Sequence, residues 1–142
     1  MLVTKQRFID DLRESYIELK KSGVAKSDAR YFLPPYEWYN DSIAAWTKEF
    51  GLQLINFTPG TRSNADYTYP ALKNYQSSDI IYKSVVGYEQ NNSSGLNGFI
   101  LLVHIGTDPA RTDKFYNRLT ELIRHLKRKN YSFQTITRLL AK

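Results

Sequence analysis

The sequence predicts an α/β fold with a mostly parallel sheet, and three observations carry that expectation. Short apolar segments alternate with amphipathic helical patterns at the interval of βα units, whose crossovers are nearly always right-handed. The run Phe99-Ile100-Leu101-Leu102-Val103, bounded by Gly98 and by Gly106 and Pro109, is unbroken and apolar, as a strand buried on both faces of a parallel sheet is. His104 closes that run before a polar Gly-Thr-Asp-Pro stretch, and α/β folds place their chemistry at the carboxyl ends of such strands.

Each element has its own signal. Phe8, Leu12, Tyr16 and Leu19 recur at helical spacing among charged residues, so a helix is expected over about residues 5–22, stopped at Gly23. Tyr31-Phe32-Leu33 reads as a strand cut off by Pro34-Pro35, which cannot continue a ladder. The loop that follows carries Tyr36, Glu37, Trp38 and Tyr39. Asn40 is a good N-cap for a helix with Ile43, Ala44, Trp46, Thr47 and Phe50 inward and Gly51 at its end. Leu52 to Phe57 is the next strand, broken by Thr58-Pro59-Gly60. Residues 61–78 form a polar, aromatic loop of uncommon length, and loops of that kind carry function or face partners. Ser77 or Ser78 caps a helix with Ile81, Val85 and Tyr88 on one face. After the 99–103 run, Thr112 or Asp113 caps a helix with Phe115, Leu119, Leu122 and Leu126 inward; Lys127, Arg128 and Lys129 oppose the dipole in its last turn, and Asn130 is a left-handed stop. Tyr131 to Ile136 alternates as a final strand, with a short helix after it.

The chain has 142 residues, read as a single domain over 1–142 with a real core. A net charge of +6 and a pI near 9.5 favour anionic partners without naming one. With no cysteine there is neither a disulfide framework nor a thiolate nucleophile. The two histidines, His104 and His125, lie on different elements, and no spacing matches a zinc site, so no metal is expected to be held by this chain alone. His125, among Arg124, Lys127 and Arg128, reads as solvated. The dipole accounts for the basic run at 127–129, so no nucleic-acid partner is read from it. No apolar run reaches membrane-spanning length, and Met1 to Arg7 turn polar at once, so no signal-peptide core is expected. Twenty aromatics, eleven of them Tyr, suit a sugar-binding surface as well as packing; Trp38 and Tyr39 are either a sugar platform or loop packing. A lone histidine ending a strand is either a hydrogen-bonded structural residue or a catalyst.

Tyr31-Phe32-Leu33-Pro34-Pro35-Tyr36 followed by Asn40, then Leu102-Val103-His104, then Asn130-Tyr131-Ser132-Phe133 after a basic helix, resembles the NodB-type polysaccharide deacetylases of carbohydrate esterase family 4. The resemblance covers nearly the whole chain but matches only the C-terminal part of that family's domain, a distorted (β/α) barrel. It implies metal-dependent hydrolysis of N- or O-acetyl groups on a polysaccharide or oligosaccharide. The divalent metal, such as zinc, and the base belong to the family's earlier strands, in an Asp-Asp motif and a His-x-x-x-His motif, and this sequence has no such strands. Carried over residue by residue, His104 matches the general acid for the leaving amine or alcohol, and Leu102 the wall of the acetyl-methyl pocket. Tyr36 matches the backbone N–H donor to the oxyanion, Asp66 with Tyr67 the Asp-Trp segment that tunes the histidine, and Trp38 falls among the substrate-binding aromatics. Leu33 departs from the family, which has an Arg there that orients the base.

On this resemblance the chain carries the general-acid half of the domain and is inactive alone, with secretion usual for the complete protein. A strand edge left open at Tyr31 to Leu33 invites association, so a homodimer through that edge, an aggregate or a loosely packed monomer is expected. The alternative expectation is a non-catalytic carbohydrate-binding or protein-interaction domain derived from a deacetylase.

Overall fold

Thr4 starts the first helix, its hydroxyl accepting the Arg7 N–H at 3.3 Å in the manner of an N-cap. The computed structural model describes residues 3–141, whose contacts gather into two compact units, Met1–Asn56 and Phe57–Lys142.

In the first unit α1 spans Lys5–Lys21, and Gly23, at φ 80°, takes the left-handed turn that ends it. Phe8 and Leu12 on its inner face are buried with Leu52. Phe8 meets Phe32 edge-on, ring centroids 5.7 Å apart, and Ile43, Trp46 and Phe50 close the cluster. Ile43 and Trp46 lie on α2, Asp41–Glu49, and Phe50 directly follows it; Asn40 caps the helix by accepting the Ile43 N–H at 3.0 Å. Two short strands, β1 Tyr31–Phe32 and β2 Gln53–Leu54, pair in parallel with Tyr31 opposite Gln53. The Ile55 N–H to Phe32 carbonyl bond, 2.9 Å, extends the pairing one step. Beyond it Pro34 and Pro35 supply no N–H, so β1 ends in a 3₁₀ turn, Pro35–Glu37.

In the second unit a 3₁₀ turn at Ser63–Tyr67 opens the long loop, and α3 spans Ser78–Asn91 with Ser77 as its cap. A further 3₁₀ turn, Phe115–Arg118, leads into α4, Leu119–Arg128, and Thr135 caps a single turn, α5, Ile136–Leu139. Ile81 and Val85 of α3, Leu96, Phe115, and Leu122 and Leu126 of α4 form the core. Asn130 stops α4 at φ 66°, in the left-handed conformation expected of it.

Three local readings are corrected in this unit. Residues 99–103 are extended and half-buried rather than a strand buried on both faces. Ile100 is tied to Thr58, its carbonyl accepting the Thr58 N–H at 2.9 Å and its N–H donating to the Thr58 hydroxyl at 3.1 Å, and the Phe99 N–H turns back to the Leu96 carbonyl at 3.1 Å. Pro59, without an N–H, follows at once and stops the ladder. The final strand expected from Tyr131 to Ile136 does not form. Tyr131 turns back, its N–H donating to the Leu126 carbonyl at 3.1 Å and its hydroxyl accepting the Leu96 N–H at 3.0 Å, and Thr135 already begins α5. Asp113 caps no helix of its own; its carboxylate accepts the N–H of Ser78 at 2.6 Å, at the start of α3. Among the described residues, no helix is long and apolar enough to cross a membrane.

Candidate functional site

Asp66 sits in the 3₁₀ turn at the head of the long loop with 1% of its surface exposed. Burying a carboxylate is costly unless donors surround it, and the donors here come from one residue. Oδ2 accepts the backbone N–H of His104 at 2.7 Å, and Oδ1 lies 2.6 Å from His104 Nδ1. Two bonds from one carboxylate to the main chain and ring of the same residue fix both the position and the rotation of the imidazole. With Oδ1 as acceptor, Nδ1 carries the ring proton, which leaves Nε2 as the atom that can exchange one. The His104 side chain is 28% exposed, and among the described residues no hydrogen bond engages Nε2. Tyr67 stands edge-on to the ring, centroids 5.6 Å apart.

Phe99, Leu101 and Val103 pack on the α3–α4 core, whereas the His104 side chain keeps 28% of its surface exposed. Of the sequence-predicted residues, Asp66 and His104 are thus brought into direct contact, and Leu102 lies in the same unit.

Tyr36 and Trp38 lie in the other unit, on the loop after β1. Tyr36 and Glu37 adopt φ values of 56° and 60°, two consecutive left-handed residues without a glycine. Such backbone costs free energy and is held by its surroundings; the Asn56 side-chain amide donates to the Glu37 carbonyl at 3.0 Å. The Glu37 and Trp38 N–H groups turn back onto the Pro34 and Pro35 carbonyls, whereas among the described residues no hydrogen bond takes the Tyr36 N–H. Tyr36 is 84% and Trp38 80% exposed. Trp38, Tyr39, Asn40, Ser42 and Trp46 line a surface cavity of about 390 Å³.

Sequence reasoning missed the polar lattice behind Asp66. Arg111 is fully buried and reaches the Thr68 and Gln76 carbonyls and the Ser78 hydroxyl. Asp113 accepts from the Tyr75 hydroxyl at 3.1 Å as well as from Ser78. Burial pushes the Asp113 carboxyl up, but the Ser78 N–H, the Tyr75 hydroxyl and the Arg111 charge outweigh it and hold the group below its ordinary value. In the sequence Asp113 reads only as a candidate helix cap, and no periodicity marks Arg111. His125 is not solvated as expected: its Nε2 is buried without a hydrogen-bond partner.

Among the described residues, no three His, Cys, Asp or Glu side chains come together in a way that could hold a metal ion. The residues present therefore do not fit the divalent-metal site of the deacetylases. No known family model matches this chain, and no curated protein does either.

Proposed function

We propose that this chain supplies the general-acid side of a polysaccharide deacetylase. The observation that supports the reading is the Asp66–His104 dyad: Nδ1 is tied, Nε2 is free, and the ring stands partly open to solvent. A ring so arranged can hold a proton on Nε2 and pass it to a departing amine or alcohol, while Asp66 fixes its angle. Leu102, two residues before His104 and half-buried, offers an apolar contact of the size of an acetyl methyl. The Tyr36 N–H, which no hydrogen bond takes among the described residues, is a donor of the kind that stabilises developing oxyanion charge. Trp38 and Tyr39 present exposed rings suited to the apolar faces of a sugar. On this reading the complete domain would be an open-sided (β/α) barrel, and the groups that activate water would come from outside the described residues.

The test is an NMR titration of the isotope-labelled chain with N-acetylated chitin oligosaccharides, O-acetylated xylan oligosaccharides and their deacetylated counterparts. Acetylated ligands should shift the signals of His104 and Leu102, and the deacetylated ones should shift them less. Saccharide shifts confined to Trp38 and Tyr39, with no dependence on the acetyl group, would favour the non-catalytic carbohydrate-binding reading. Absence of any shift at millimolar ligand would overturn both.

A further inference from the structure

Arg111 has an environment unlike that of any other cation in the second unit. Its guanidinium is completely enclosed, with Nη1 donating to the Thr68 carbonyl and, at 3.0 Å, to the Gln76 carbonyl. Nη2 donates to the Ser78 hydroxyl at 3.0 Å, and the Tyr75 ring lies 5.6 Å from the guanidinium carbon. Nε makes no hydrogen bond; the nearest charge is Asp113 Oδ1 at 3.6 Å. Enclosing a cation costs several kcal/mol unless its donors are well used, so this side chain is tolerated only for what its fork holds.

What it holds is the carrier of Asp66. Thr68 is two residues beyond Asp66, directly after the 3₁₀ turn, and Gln76 closes the same loop; its N–H donates to the Thr68 hydroxyl at 3.2 Å. Arg111 itself belongs to the stretch that begins at His104. Its N–H donates to the Asp108 carbonyl at 3.0 Å, and the Lys114 ammonium donates to the Thr107 hydroxyl at 2.7 Å and the Asp108 carbonyl at 2.8 Å. The same two stretches of chain are therefore joined twice, by Asp66 to His104 and by Arg111 to Thr68 and Gln76.

We propose that Arg111 is a positioning residue that fixes the Asp66 carboxylate against His104 and thereby sets which ring nitrogen carries the proton. The proposal rests on reading His104 as the proton donor, although what it predicts is visible in the ring without any substrate. A planar fork can serve two carbonyls and a hydroxyl at once, whereas a lysine ammonium in the same space reaches fewer of them.

The experiment is long-range ¹H–¹⁵N correlation of the imidazole rings in the ligand-free chain, which has only two histidines, so His125 serves as the internal reference. In the unaltered chain the neutral His104 ring should be the Nδ1–H tautomer. Arg111→Lys should give a mixture, and Arg111→Met should lose the Nδ1–H form, with His125 unmoved in both. Arg111→Lys, which retains the charge, carries the test if Arg111→Met does not fold. A folded Arg111 variant whose His104 tautomer is unchanged overturns the proposal. A tautomer change in a chain whose His104 ignores acetylated saccharides upholds the positioning role and counts against the deacetylase reading alone.

Discussion

Asp113 grips the first turn of α3 from 35 residues away: Oδ2 accepts the Ser78 N–H at 2.6 Å, and the Ser78 hydroxyl donates back to the Asp113 carbonyl. Because these bonds and the Arg111 charge outweigh burial, the folded-state pKa of Asp113 lies below its ordinary 3.8. A carboxylate depressed in the folded state stabilises the fold above its unfolded pKa, and that contribution disappears as pH falls through the folded value. Asp113→Asn should therefore lower stability at neutral pH and flatten the loss of stability below about pH 4. Urea denaturation at a series of pH values checks this; an equally steep acid limb in the variant would contradict it.

Removing the acceptor of the dyad should cost more than a surface change. Asp66→Ala leaves the His104 N–H and Nδ1 without their partner, and an unsatisfied buried group costs roughly 1–3 kcal/mol. The denaturation midpoint should fall accordingly, whereas Asp41→Ala, at an exposed helix start, should change it by less than about 0.5 kcal/mol beyond any cap effect.

The chain by itself should release no acetate from acetylated chitin or xylan oligomers and should bind zinc, cobalt or nickel no more tightly than an ordinary surface does. The hydrolysis of this class needs a metal to lower the pKa of its water and to polarise the carbonyl, which a general acid does not replace. Isothermal titration and an acetate assay measure both. Stoichiometric tight binding or sustained turnover would refute the assignment of roles.

Phe115 is 2% exposed at the centre of the second core, and Phe133 is 52% exposed. Phe115→Ala should lose about 3–5 kcal/mol, and Phe133→Ala less than about 1 kcal/mol. The contrast separates the observed irregular segment at 131–135 from a packed terminal strand, in which Phe133 would be as costly to truncate as Phe115.

The helices were legible because each carries two agreeing local signals, a period and a stop. Phe8 and Leu12 with Gly23 mark α1, Asn40 and Gly51 bracket α2, and Ile81 and Val85 with Ser77 mark α3. The dyad was half legible. Asp66 and His104 entered through family-like motifs, while their pairing depends on a loop of 3₁₀ turns that no periodicity encodes. The 99–103 run misled because apolar composition reports burial on a core, and residues 99, 101 and 103 do pack on one, but composition says nothing about whether a neighbouring backbone is there to pair with. The fate of Tyr131 to Ile136 was set by one distant contact, the Tyr131 hydroxyl on the Leu96 N–H, which alternation cannot anticipate. Arg111 was invisible for the same reason: its partners are main-chain carbonyls, and every residue has one.

The pair of left-handed residues at Tyr36 and Glu37 inverts a common rule about substitution. Glycine ordinarily loosens a chain, since the unfolded state gains freedom that folding must then remove. At Tyr36 the backbone already sits where a Cβ is a burden, and the side chain, 84% exposed, contributes little packing. Tyr36→Gly should thus leave the fold about as stable or more so, while retaining the one group by which this residue could meet a substrate, its main-chain N–H. The loop offers a clean separation of what its backbone does from what its side chain does.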